Sequence, residues 1–539
     1  MNINKVHIEN FKIFKGSFSL TLNKGVNILV GNNEAGKSTI IEAIHLALTG
    51  LYNGRYLKNE LTQYIFNNEV INEYIESLTQ TKEIKSLPHI LIELYFEGED
   101  IAEFEGDGNS QKIKSSGIAL KIAFDEKYQD EYEKLIELGN IKTLPIEYYN
   151  ISWSSFARDE NITPKTIPIK SALIDSSSSK FQNGSDIYIS KIVKDLLDLK
   201  EIVKVSQAHR QMKDAFMGHE AIQAINDKIK NASKISDKKV ELSVELSSKN
   251  AWENSLITCI EDIPFHNIGK GEQCLIKTKL ALGHKKTKEA NIILLEEPEN
   301  HLSYTKLNQL IRDIAEDNSE KQILISTHSS FVANKLGLEN LILLNDKKTI
   351  RLNDLTDDTF QFFKKLSGYD TLRLILCKKA ILVEGDSDEL IVQKAYKVKN
   401  NKLPIEDGID VISVGTSFLR FLEIAEKIKK QVAVVTDNDK DYENKIAKKY
   451  EIYDNSANIK IFADNQNDLN TLEPQIVNVN KIDVLSEILE IGKKYNTSDE
   501  ILKYMTKNKT ICALKIFNSE KQITFPTYIN DTIDWCNEQ

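Results

Sequence analysis

The amino-acid sequence predicts an α/β protein made of several domains. An apolar strand, a glycine-rich loop and a helix follow one another over residues 26–48. Two further apolar runs, residues 291–297 and 380–384, each end in acidic residues. Such alternation of strands and helices is typical of α/β folds. A chain of 539 residues exceeds what one hydrophobic core usually supports, so we expect about three domains.

Composition and charge narrow the class of protein. Hydrophobic residues make up 41% and charged residues 28% of the chain, as in ordinary globular proteins. No apolar run approaches the roughly 20 residues of a membrane span, and the N-terminus has no signal-peptide pattern, so we expect a cytoplasmic protein without a membrane partner. Five scattered cysteines without a C-x-x-C pair indicate neither disulfides nor a zinc site. A net charge of −10 argues against indiscriminate coating of nucleic acid, but a local DNA groove stays open.

The glycine-rich loop predicts a nucleoside-triphosphate site. Residues 31–38 match the pattern G-x-x-x-x-G-K-[ST], in which backbone N–H groups close on phosphate oxygens. Lys37 would meet the β- and γ-phosphates, and Ser38 would bind the Mg²⁺ ion that accompanies ATP. The helix that follows directs its N-terminus at the anion. The candidate ATP-binding residues of this stretch are Gly31, Asn32, Asn33, Glu34, Ala35, Gly36, Lys37, Ser38 and Thr39.

Further strands are expected on either side of this loop. Residues 3–10 and 18–22 alternate apolar and polar side chains, and residues 89–96 and 119–124 are interpreted as two more strands. Together they predict an antiparallel layer beside the nucleotide site. Residues 51–86 are polar and rich in tyrosine, and we interpret them as a connection.

The character of the chain changes after about residue 163. Residues 171–186 are rich in serine and polar turn formers and are interpreted as a loop or linker. Residues 187–230 carry apolar side chains at helical spacing, which predicts two helices packed as a hairpin. An insertion of this kind is interpreted as a dimerisation element. The alternative, a helical cap on its own domain, stays open.

Two paired acids and a histidine come next. The strand at residues 291–295 ends in Glu296 and Glu297, and buried charges of this kind are costly unless they meet a cation. That cation would be the Mg²⁺ of the nucleotide, with Glu296 in its outer shell and Glu297 polarising the attacking water. Another buried strand, residues 322–326, leads into Thr327-His328-Ser329. We interpret His328 as a sensor of the γ-phosphate, with a packed or capping histidine as the alternative.

A phosphate loop, a glycine-rich turn, paired acids and a histidine in this order resemble the ABC-type ATPases of the SMC/RecF kind, without a long coiled coil. The turn is IGKGEQ at residues 268–273, which resembles the LSGGE/Q signature that caps the γ-phosphate of the opposite subunit in a dimer. Gly269 stands where serine is usual, which removes a hydroxyl ligand, and Ser303 replaces the aspartate of the family's SALD loop. The resemblance adds these ATP-binding candidates: Gly269, Lys270, Gly271, Glu272, Glu296 and Gln63. For Gln63 a solvated loop amide is the alternative.

A second group of acids follows in the last third of the chain. The strand at residues 380–384 ends in Glu384, and Asp388 lies four residues further on in a predicted helix. A later apolar strand delivers Asp437 and Asp439 as D-x-D. Since alternate residues of an extended segment point the same way, we expect both aspartates to face Glu384. Four acids so close would repel one another unless divalent metal is bound.

These acids, in EGDSD and DND, resemble the Toprim fold of topoisomerases, primases and certain nucleases. An ABC-type ATPase fused to a C-terminal Toprim domain is the architecture of the OLD (overcoming lysogenisation defect) nucleases, and the resemblance covers essentially the whole chain. It implies phosphodiester cleavage with two Mg²⁺ or Mn²⁺ ions, in addition to the ion that accompanies ATP. It also adds Glu473, in an LE pair, as a metal ligand, and Lys509, in K-x-x-x-A, as a transition-state lysine. A plain lysine at a basic helix end is the alternative for Lys509.

The leading hypothesis is therefore an ATP-regulated, metal-dependent DNA endonuclease or nickase that acts as a homodimer or larger assembly. Relatives in this family serve in antiphage defence, in settings that include a companion helicase or a retron component. The alternatives are a RecF-like DNA-clamping ATPase with a structural Toprim domain and, less favoured, a primase or topoisomerase. The basic clusters at residues 427–430 and 445–449 are interpreted as solvated helix faces, with a DNA groove as the alternative.

The predicted domains follow from these motifs. Residues 1–165 form the first part of the ATPase, residues 166–250 the inserted helical segment and residues 251–375 the second part of the ATPase. Residues 376–539 form the Toprim domain.

Overall fold

The computed structural model describes most of the chain, and the chain divides into two compact units. The described residues are 1–32, 34–80, 85–139, 141–175, 181–182, 185–186, 197–232, 242, 258–283, 287, 289–317, 320–329, 338–345, 348–351, 355–365, 369–492, 495 and 497–538. The first unit comprises residues 1–28 and 36–327, and the second comprises residues 29–35 and 328–539. Within the described residues no helix is long and apolar enough to cross a membrane.

The first unit contains an antiparallel sheet and a parallel sheet. In chain order its strands are β1 Asn2–Glu9, β2 Ser17–Thr21, β3 Val26–Gly31 (which begins in this unit), β4 Leu51–Tyr52, β5 Arg55–Tyr56, β6 Ile90–Glu97, β7 Glu105–Gly106, β8 Ser115–Phe124, β9 Tyr149–Ser155, β10 Ser171–Asp175, β11 Phe181–Gln182, β12 Ser185–Asp186, β13 Cys259–Ile260, β14 Ile263–Pro264, β15 Ile292–Glu296 and β16 Gln322–Thr327. The antiparallel sheet has the order β2-β1-β6-β8-β7, with β9 paired to β8. The predicted strands therefore form an antiparallel layer, as the sequence indicates.

The first unit has eight α-helices among its described residues, of which the first contacts both sheets. They are α1 Lys37–Thr49, α2 Leu57–Glu60, α3 Asn68–Gln80, α4 Gln129–Glu137, α5 Leu199–Gly218, α6 Glu220–Ala232, α7 Lys270–Gly283 and α8 Tyr304–Asp317. Helix α1 has the expected apolar spacing, with Ile40, Ile41 and Ile44 fully buried, and it is buried on most of its circumference. Strands β10, β15 and β16 pair in parallel, and β15 and β16 are apolar almost throughout because both faces of a parallel sheet are covered.

Two predictions for the first unit were wrong. Residues 171–175, predicted as part of a loop, form β10 and pair in register with β15. The serine-rich composition that follows concealed the short apolar run Ala172–Ile174, whose backbone is satisfied by the neighbouring strand. The stretch 51–86, predicted as a connection, contains the 13-residue helix α3. Its polar sequence carries only a thin apolar stripe, in which Ile71 and Tyr74 are buried.

The inserted segment contains the two predicted helices where it is described. Helices α5 and α6 contact each other, and Asp198 starts α5 with a capping box formed with Glu201. Residues 187–196, for which a helix was also predicted, lie outside the described residues. Helix α5 exposes Leu199, Val203 and Phe216. The dimerisation role of this hairpin stays a prediction.

The second unit contains a four-stranded parallel sheet and a two-stranded antiparallel hairpin. Its strands are β17 Leu341–Asn345, β18 Lys348–Arg351, β19 Lys379–Val383, β20 Ile409–Ser413, β21 Gln431–Val435 and β22 Ile459–Phe462. The hairpin is β17 with β18, and the parallel sheet has the order β20-β19-β21-β22. The helices of this unit are α9 Asp357–Lys365, α10 Tyr369–Leu376, α11 Asp386–Asn400, α12 Phe418–Lys427, α13 Lys448–Tyr450, α14 Leu472–Val479, α15 Ile482–Ile488, α16 Ser498–Lys507, α17 Lys509–Asn518 and α18 Thr527–Glu538.

The parallel sheet positions the second acidic group. Its apolar strands and the helices α11, α14 and α17 share one hydrophobic core, which includes Ile381, Tyr396, Ile476 and Ile516. Strands β19 and β21 are direct neighbours. Because parallel strands end at the same edge of a sheet, the residues that follow β19 and β21 meet there.

Candidate functional site

The phosphate loop has the backbone that its glycines require. Gly36 has φ 103°, in the left-handed region, and a Cβ placed on it would lie 2.6 Å from Cζ of Phe14. A Cβ on Gly31 would lie 2.7 Å from the carbonyl oxygen of Leu344. Helix α1 begins at Lys37, directly after Gly36. The turn therefore brings a helix N-terminus to the end of the loop, as a phosphate site needs.

The structure describes the other predicted residues of the phosphate loop, with one exception. Asn32 accepts a hydrogen bond from the Ala35 N–H at 3.1 Å, and Glu34 has φ 67°. Ser38 and Thr39 lie in the first turn of α1. Asn33, a predicted ATP-binding residue, lies outside the described residues.

Lys37 lies against the acids that follow β15. Its side chain is buried, and burial lowers its pKa while the charges of Glu297 and Glu299 act in the opposite direction. Glu299 was not among the predicted residues. One of its carboxylate oxygens accepts a hydrogen bond from Thr327 Oγ1 at 2.6 Å. Two acids thus lie near the loop lysine, and their role toward a nucleotide and its cation stays a prediction.

Glu297 has an unusual backbone. Strand β15 ends at Glu296, and Glu297 has φ 42°, a conformation that costs a non-glycine residue free energy. Its N–H donates to the Ser326 carbonyl at 3.0 Å, and its carboxylate accepts from Asn300 Nδ2 at 2.9 Å. These contacts fix the direction of the carboxylate. A strained, fixed acid at a strand end fits the predicted role of Glu297, which stays a prediction.

The signature-like turn requires a glycine for lack of space at Gly271 but not at Gly269. A Cβ on Gly271 would lie 2.2 Å from the carbonyl oxygen of His301, so no larger residue fits there without movement. Around Gly269 no described atom lies within 4 Å of a Cβ. Lys270 and Glu272 lie in the first turn of α7. The replacement of the usual serine by Gly269 is therefore not imposed by space.

Two predicted residues have positions that leave their roles untested. Gln63 lies in a 3₁₀ turn, and its Oε1 accepts from the Leu144 N–H at 3.1 Å. That bond supports the structural alternative for Gln63. His328 directly follows β16, as predicted, and is partly buried. Its role as a γ-phosphate sensor stays a prediction.

In the second unit Glu384 is held between two neighbouring strand ends. It directly follows β19, and its Oε1 accepts from Thr436 Oγ1 at 2.8 Å. Thr436 directly follows β21. The carbonyl oxygen of Glu384 accepts from the Gly415 N–H at 3.1 Å. Thr436 was not predicted, although its position just before Asp437 was a signal that it lies at the same sheet edge.

Asp388 and Asp437 lie close enough to Glu384 to repel it. Asp388 accepts from the Gly385 N–H at 3.1 Å in the first turn of α11. Loss of solvation, followed by the charge of Glu384, raises the pKa of Asp388 to about 6. Loss of solvation, followed by the charges of Asp388 and Glu384, raises the pKa of Asp437 to about 8. The site therefore prefers bound protons, or another positive charge, over bare carboxylates.

Glu473 and Lys509 complete this group from the C-terminal part of the chain. Glu473 is only 4% exposed. Its two carboxylate oxygens meet Lys509 Nζ and Thr471 Oγ1, each at 3.1 Å. Burial alone would lower the pKa of Lys509, but its contact with Glu473 and the charges of Asp437 and Asp388 raise it. The structure thus brings both predicted residues to the acidic site, and their roles in chemistry stay predictions.

The alternation of side chains along an extended strand, from which Asp439 was predicted to face Glu384, does not apply to Asp439. Strand β21 ends at Val435, and Asp439 has φ 49°, so the chain is no longer extended there. The Asp439 side chain is 57% exposed, with Lys445 Nζ at 3.9 Å. Fully buried Asn438 anchors the loop by donating to the carbonyls of Asp464 and Gln466. Whether Asp439 binds metal stays a prediction.

The donor set of this acidic site fits a divalent cation. Glu384, Asp388, Asp437 and Glu473 bring four carboxylates together near the ammonium of Lys509. Carboxylate oxygens are the ligands that Mg²⁺ and Mn²⁺ prefer. Within the described residues, no three acidic, histidine or cysteine side chains already converge closely enough to hold one ion. A bound ion would therefore have to draw these side chains together.

The raised pKa values predict how stability depends on pH. Between the ordinary value of 3.8 and about 8, the folded protein binds more protons at Asp437 than the unfolded chain does. Stability without metal should therefore fall as pH rises through this window. We expect Asp437→Asn to raise the melting temperature at pH 8.5 by about 5 °C, since each kcal/mol of unfolding free energy shifts the melting temperature by about 2–4 °C. At pH 4 the same variant should have little effect on the melting temperature. Thermal melts in EDTA at both pH values test this, and an equal effect at both would contradict it.

The chain is similar to known protein families and to individual proteins. A family model described as "AAA ATPase domain" matches residues 1–333, and one described as "Overcoming lysogenization defect protein-like, TOPRIM domain" matches residues 375–439. Endonuclease GajA of Bacillus cereus (strain VD045) is 20% identical over 468 residues, which cover 81% of this chain and 75% of that protein. The structural maintenance of chromosomes protein 3 homolog of Plasmodium falciparum (isolate 3D7) is 23% identical over 421 residues, covering 75% of this chain and 30% of that protein.

Among solved structures, the C-terminal region of the Xanthomonas campestris pv. campestris OLD protein is similar to part of this chain. Its sequence is 19% identical, and the match covers 29% of this chain and 91% of that one with a TM-score of 0.24.

Proposed function

Because the chain belongs to the AAA ATPase domain family and carries an OLD-like TOPRIM domain behind its ATPase domain, we propose that it is an ATP-regulated, metal-dependent DNA endonuclease or nickase. The predicted fold class, an ABC-type ATPase followed by a Toprim domain, is confirmed. Nucleotide and divalent metal are the cofactors that these two domains imply. Similarity to an endonuclease over most of the chain supports the nuclease proposal.

The observation that carries the nuclease proposal is the acidic site of the second unit. Three segments of the chain contribute carboxylates here, namely Glu384 with Asp388, Asp437, and Glu473. Loss of solvation, followed by repulsion between these acids, raises the pKa of Asp388 and of Asp437. Such repulsion opposes folding unless the site serves a bound cation. These acids also lie at the carboxyl ends of neighbouring parallel strands, which is where α/β proteins usually bind their ligands.

The residues of this site would divide the work of phosphodiester hydrolysis. A pair of Mg²⁺ or Mn²⁺ ions, when bound, supplies an activated water and stabilises the leaving 3′ oxygen. Glu384, Asp388, Asp437, Asp439 and Glu473 are the proposed ligands. Thr436 and the Gly385 N–H hold two of these carboxylates in place. Lys509 lies where its ammonium can offset negative charge on the phosphate, and Glu473 orients it.

The ATPase part is proposed to control this chemistry. Lys37 would bind the phosphates, Ser38 and Glu296 the accompanying Mg²⁺, and Glu297 the attacking water, with His328 sensing the γ-phosphate. The turn at residues 269–272 would cap the nucleotide of a second copy, so that ATP joins two chains as a homodimer or larger assembly. The hairpin of α5 and α6 is a proposed dimer contact. A role in antiphage defence, with a companion helicase or retron component, is part of the same proposal.

We also propose a domain division that keeps the predicted boundaries after residues 250 and 375 but moves the start of the inserted segment from residue 166 to the residue after Asp175. Strand β10 supports this later start, because it pairs with β15 of the ATPase part.

The nuclease proposal is tested on supercoiled plasmid. Wild-type protein should convert it to open-circular or linear DNA in Mg²⁺ or Mn²⁺, with and without ATP, and EDTA should abolish the conversion. The RecF-like DNA clamp is the second candidate, and similarity to a chromosome-maintenance protein favours it. Absence of metal-dependent strand breaks, together with ATP-dependent retention of DNA, would support the clamp and reject the nuclease.

The signature-like turn yields a further expected result. Because no described atom crowds a Cβ at Gly269, a serine should fit and restore the hydroxyl that the usual signature presents. We expect Gly269→Ser to raise the steady-state rate of ATP hydrolysis about threefold or more, the equivalent of one weak hydrogen bond of about 0.7 kcal/mol. Gly271→Ser is the matched control and should lower the rate, since its Cβ would meet the His301 carbonyl. Equal rates of ATP hydrolysis for Gly269→Ser and wild type would contradict the idea that the missing hydroxyl limits hydrolysis.

A further inference from the structure

The segment that follows the D-x-D loop carries a lysine turned toward the acidic site. Residues 443–447 form a π-helical turn that continues into α13, Lys448–Tyr450. Lys448 has an exposed side chain and donates to Asn444 Oδ1 at 3.1 Å, as the solvated-face interpretation predicts. Lys449 is instead partly buried. The other basic cluster differs again, because Lys430 is buried and donates to the Cys377 carbonyl.

The Lys449 ammonium lies among aromatic rings and acids. Its Nζ is 4.9 Å from the ring centre of Tyr450 and 5.8 Å from that of Phe418, both cation–π distances. Burial lowers its pKa, and the charges of Glu384 and Asp439 act in the opposite direction. Within the described residues, no hydrogen bond or ion pair joins this ammonium to an acceptor. Lys449 thus brings a positive charge to the acidic site without being neutralised by a carboxylate at ion-pair distance.

The neighbouring tyrosine supplies an independent sign that this corner is incomplete. Tyr450 is 1% exposed, and its hydroxyl has no hydrogen-bond partner among the described residues. The charge of Glu384 reaches this hydroxyl, because it contributes with burial to a raised Tyr450 pKa. Buried polar groups are normally paired, and an unpaired one is unfavourable. A polar ligand near Glu384 and Tyr450 would complete the corner.

We propose that Lys449 binds a backbone phosphate of DNA beside the phosphate that is cut, an inference that rests on the nuclease proposal. DNA is a polyanion, and the carboxylates of the acidic site repel its phosphates. A cation that is not already paired with those carboxylates can offset this repulsion at the edge of the acidic site. Lys509 is already engaged by Glu473, whereas Lys449 is not paired in this way. The ring of Tyr450 lies beside the ammonium, and the charge of Glu384 acts on the Tyr450 hydroxyl. The ligand is thus a phosphodiester of the DNA backbone, bound without regard to base sequence.

The test replaces Lys449 while keeping its packing. Lys449→Met retains an apolar stem over the two rings but removes the charge, Lys449→Arg retains the charge, and Lys448→Ala is the matched control on the same turn. In plasmid cleavage, Lys449→Met should raise KM about tenfold with kcat changed less than about threefold. The slope of log(kcat/KM) against log[salt] should become shallower by about 0.9, the value for one lost phosphate contact. Lys449→Arg should restore the wild-type slope, and Lys448→Ala should leave KM unchanged.

If Lys449→Met has the same salt slope as wild type, the phosphate contact is overturned. If its KM rises while its slope equals that of Lys448→Ala, the contact is also overturned, and Lys449 is assigned to packing. Failure of Lys449→Arg to restore the slope would overturn it as well. Fluorescence anisotropy of labelled duplex DNA in Ca²⁺ gives the same slope for binding alone. A wild-type protein that binds DNA but cuts it in no metal would reject the nuclease proposal, while the anisotropy slopes would still decide the role of Lys449.

Discussion

Asp437→Asn should abolish DNA cleavage, with a loss of about 1000-fold or more in kcat/KM. Asp437 lies near Asp388 and Glu384 at the sheet edge, and loss of solvation, followed by the charges of these two acids, raises its pKa to about 8. A carboxylate in that position would hold a divalent cation, and an amide removes one negative charge from the set. Losing metal-based stabilisation of several kcal/mol corresponds to a rate loss of about this size.

The control for this variant is Asp386→Asn. Asp386 lies in the first turn of the same helix as Asp388 but is exposed. Its neutralisation removes the same charge without touching the acidic site, so cleavage should stay within about twofold of wild type. Quantified nicking of supercoiled plasmid over a range of Mn²⁺ concentrations provides the comparison. Equal losses for Asp386→Asn and Asp437→Asn would mean that overall charge, and not the acidic site, controls cleavage.

Lys37→Ala should weaken ATP binding by about 100-fold or more. Lys37 begins α1 at the end of the phosphate loop, and its ammonium is buried beside Glu297 and Glu299. Its proposed contacts with phosphate oxygens would be charge-assisted, and losing about 3 kcal/mol of such contacts lowers affinity by about two orders of magnitude. Isothermal titration with a non-hydrolysable ATP analogue measures the change. Lys58→Ala, which removes an exposed lysine of α2, is the control and should bind as wild type does.

The same variant tests the proposed control of the nuclease by ATP. If nucleotide joins two chains and sets access to the acidic sites, wild-type cleavage should depend on ATP, and Lys37→Ala should cleave at one rate with or without it. Sedimentation of both proteins with and without the ATP analogue shows whether assembly follows nucleotide. Wild-type cleavage and assembly that are both indifferent to ATP would reject this control.

Motifs that occupy consecutive residues could be predicted well from the sequence. The strand, loop and helix around Gly36 and Lys37 form as expected, because hydrophobic spacing and glycine placement act over a few residues. The same holds for Glu384 at the end of β19. In each case the residues that determine the local backbone are the residues of the motif itself.

Features that depend on distant partners or irregular backbone could not be predicted in this way. Strand β10 is stabilised by its pairing with β15, which lies more than a hundred residues further along the chain. Asp439 escapes the alternation rule because its φ of 49° interrupts the extended backbone on which the rule depends. Glu299 becomes visible as a site residue only through its proximity to Lys37. Spacing along the sequence contains none of this information.

Binding of Mn²⁺ by the metal-free, nucleotide-free protein tests the central claim most directly, namely that the acids of the second unit exist to hold divalent cations. Electron paramagnetic resonance can count the bound ions in wild type and in the double variant Glu384→Gln, Asp437→Asn. The proposed chemistry predicts two ions bound per wild-type chain and none at that site in the double variant, which should remain folded. Equal numbers of ions, bound with equal affinity by both proteins, would contradict the metal site and the nuclease assignment with it.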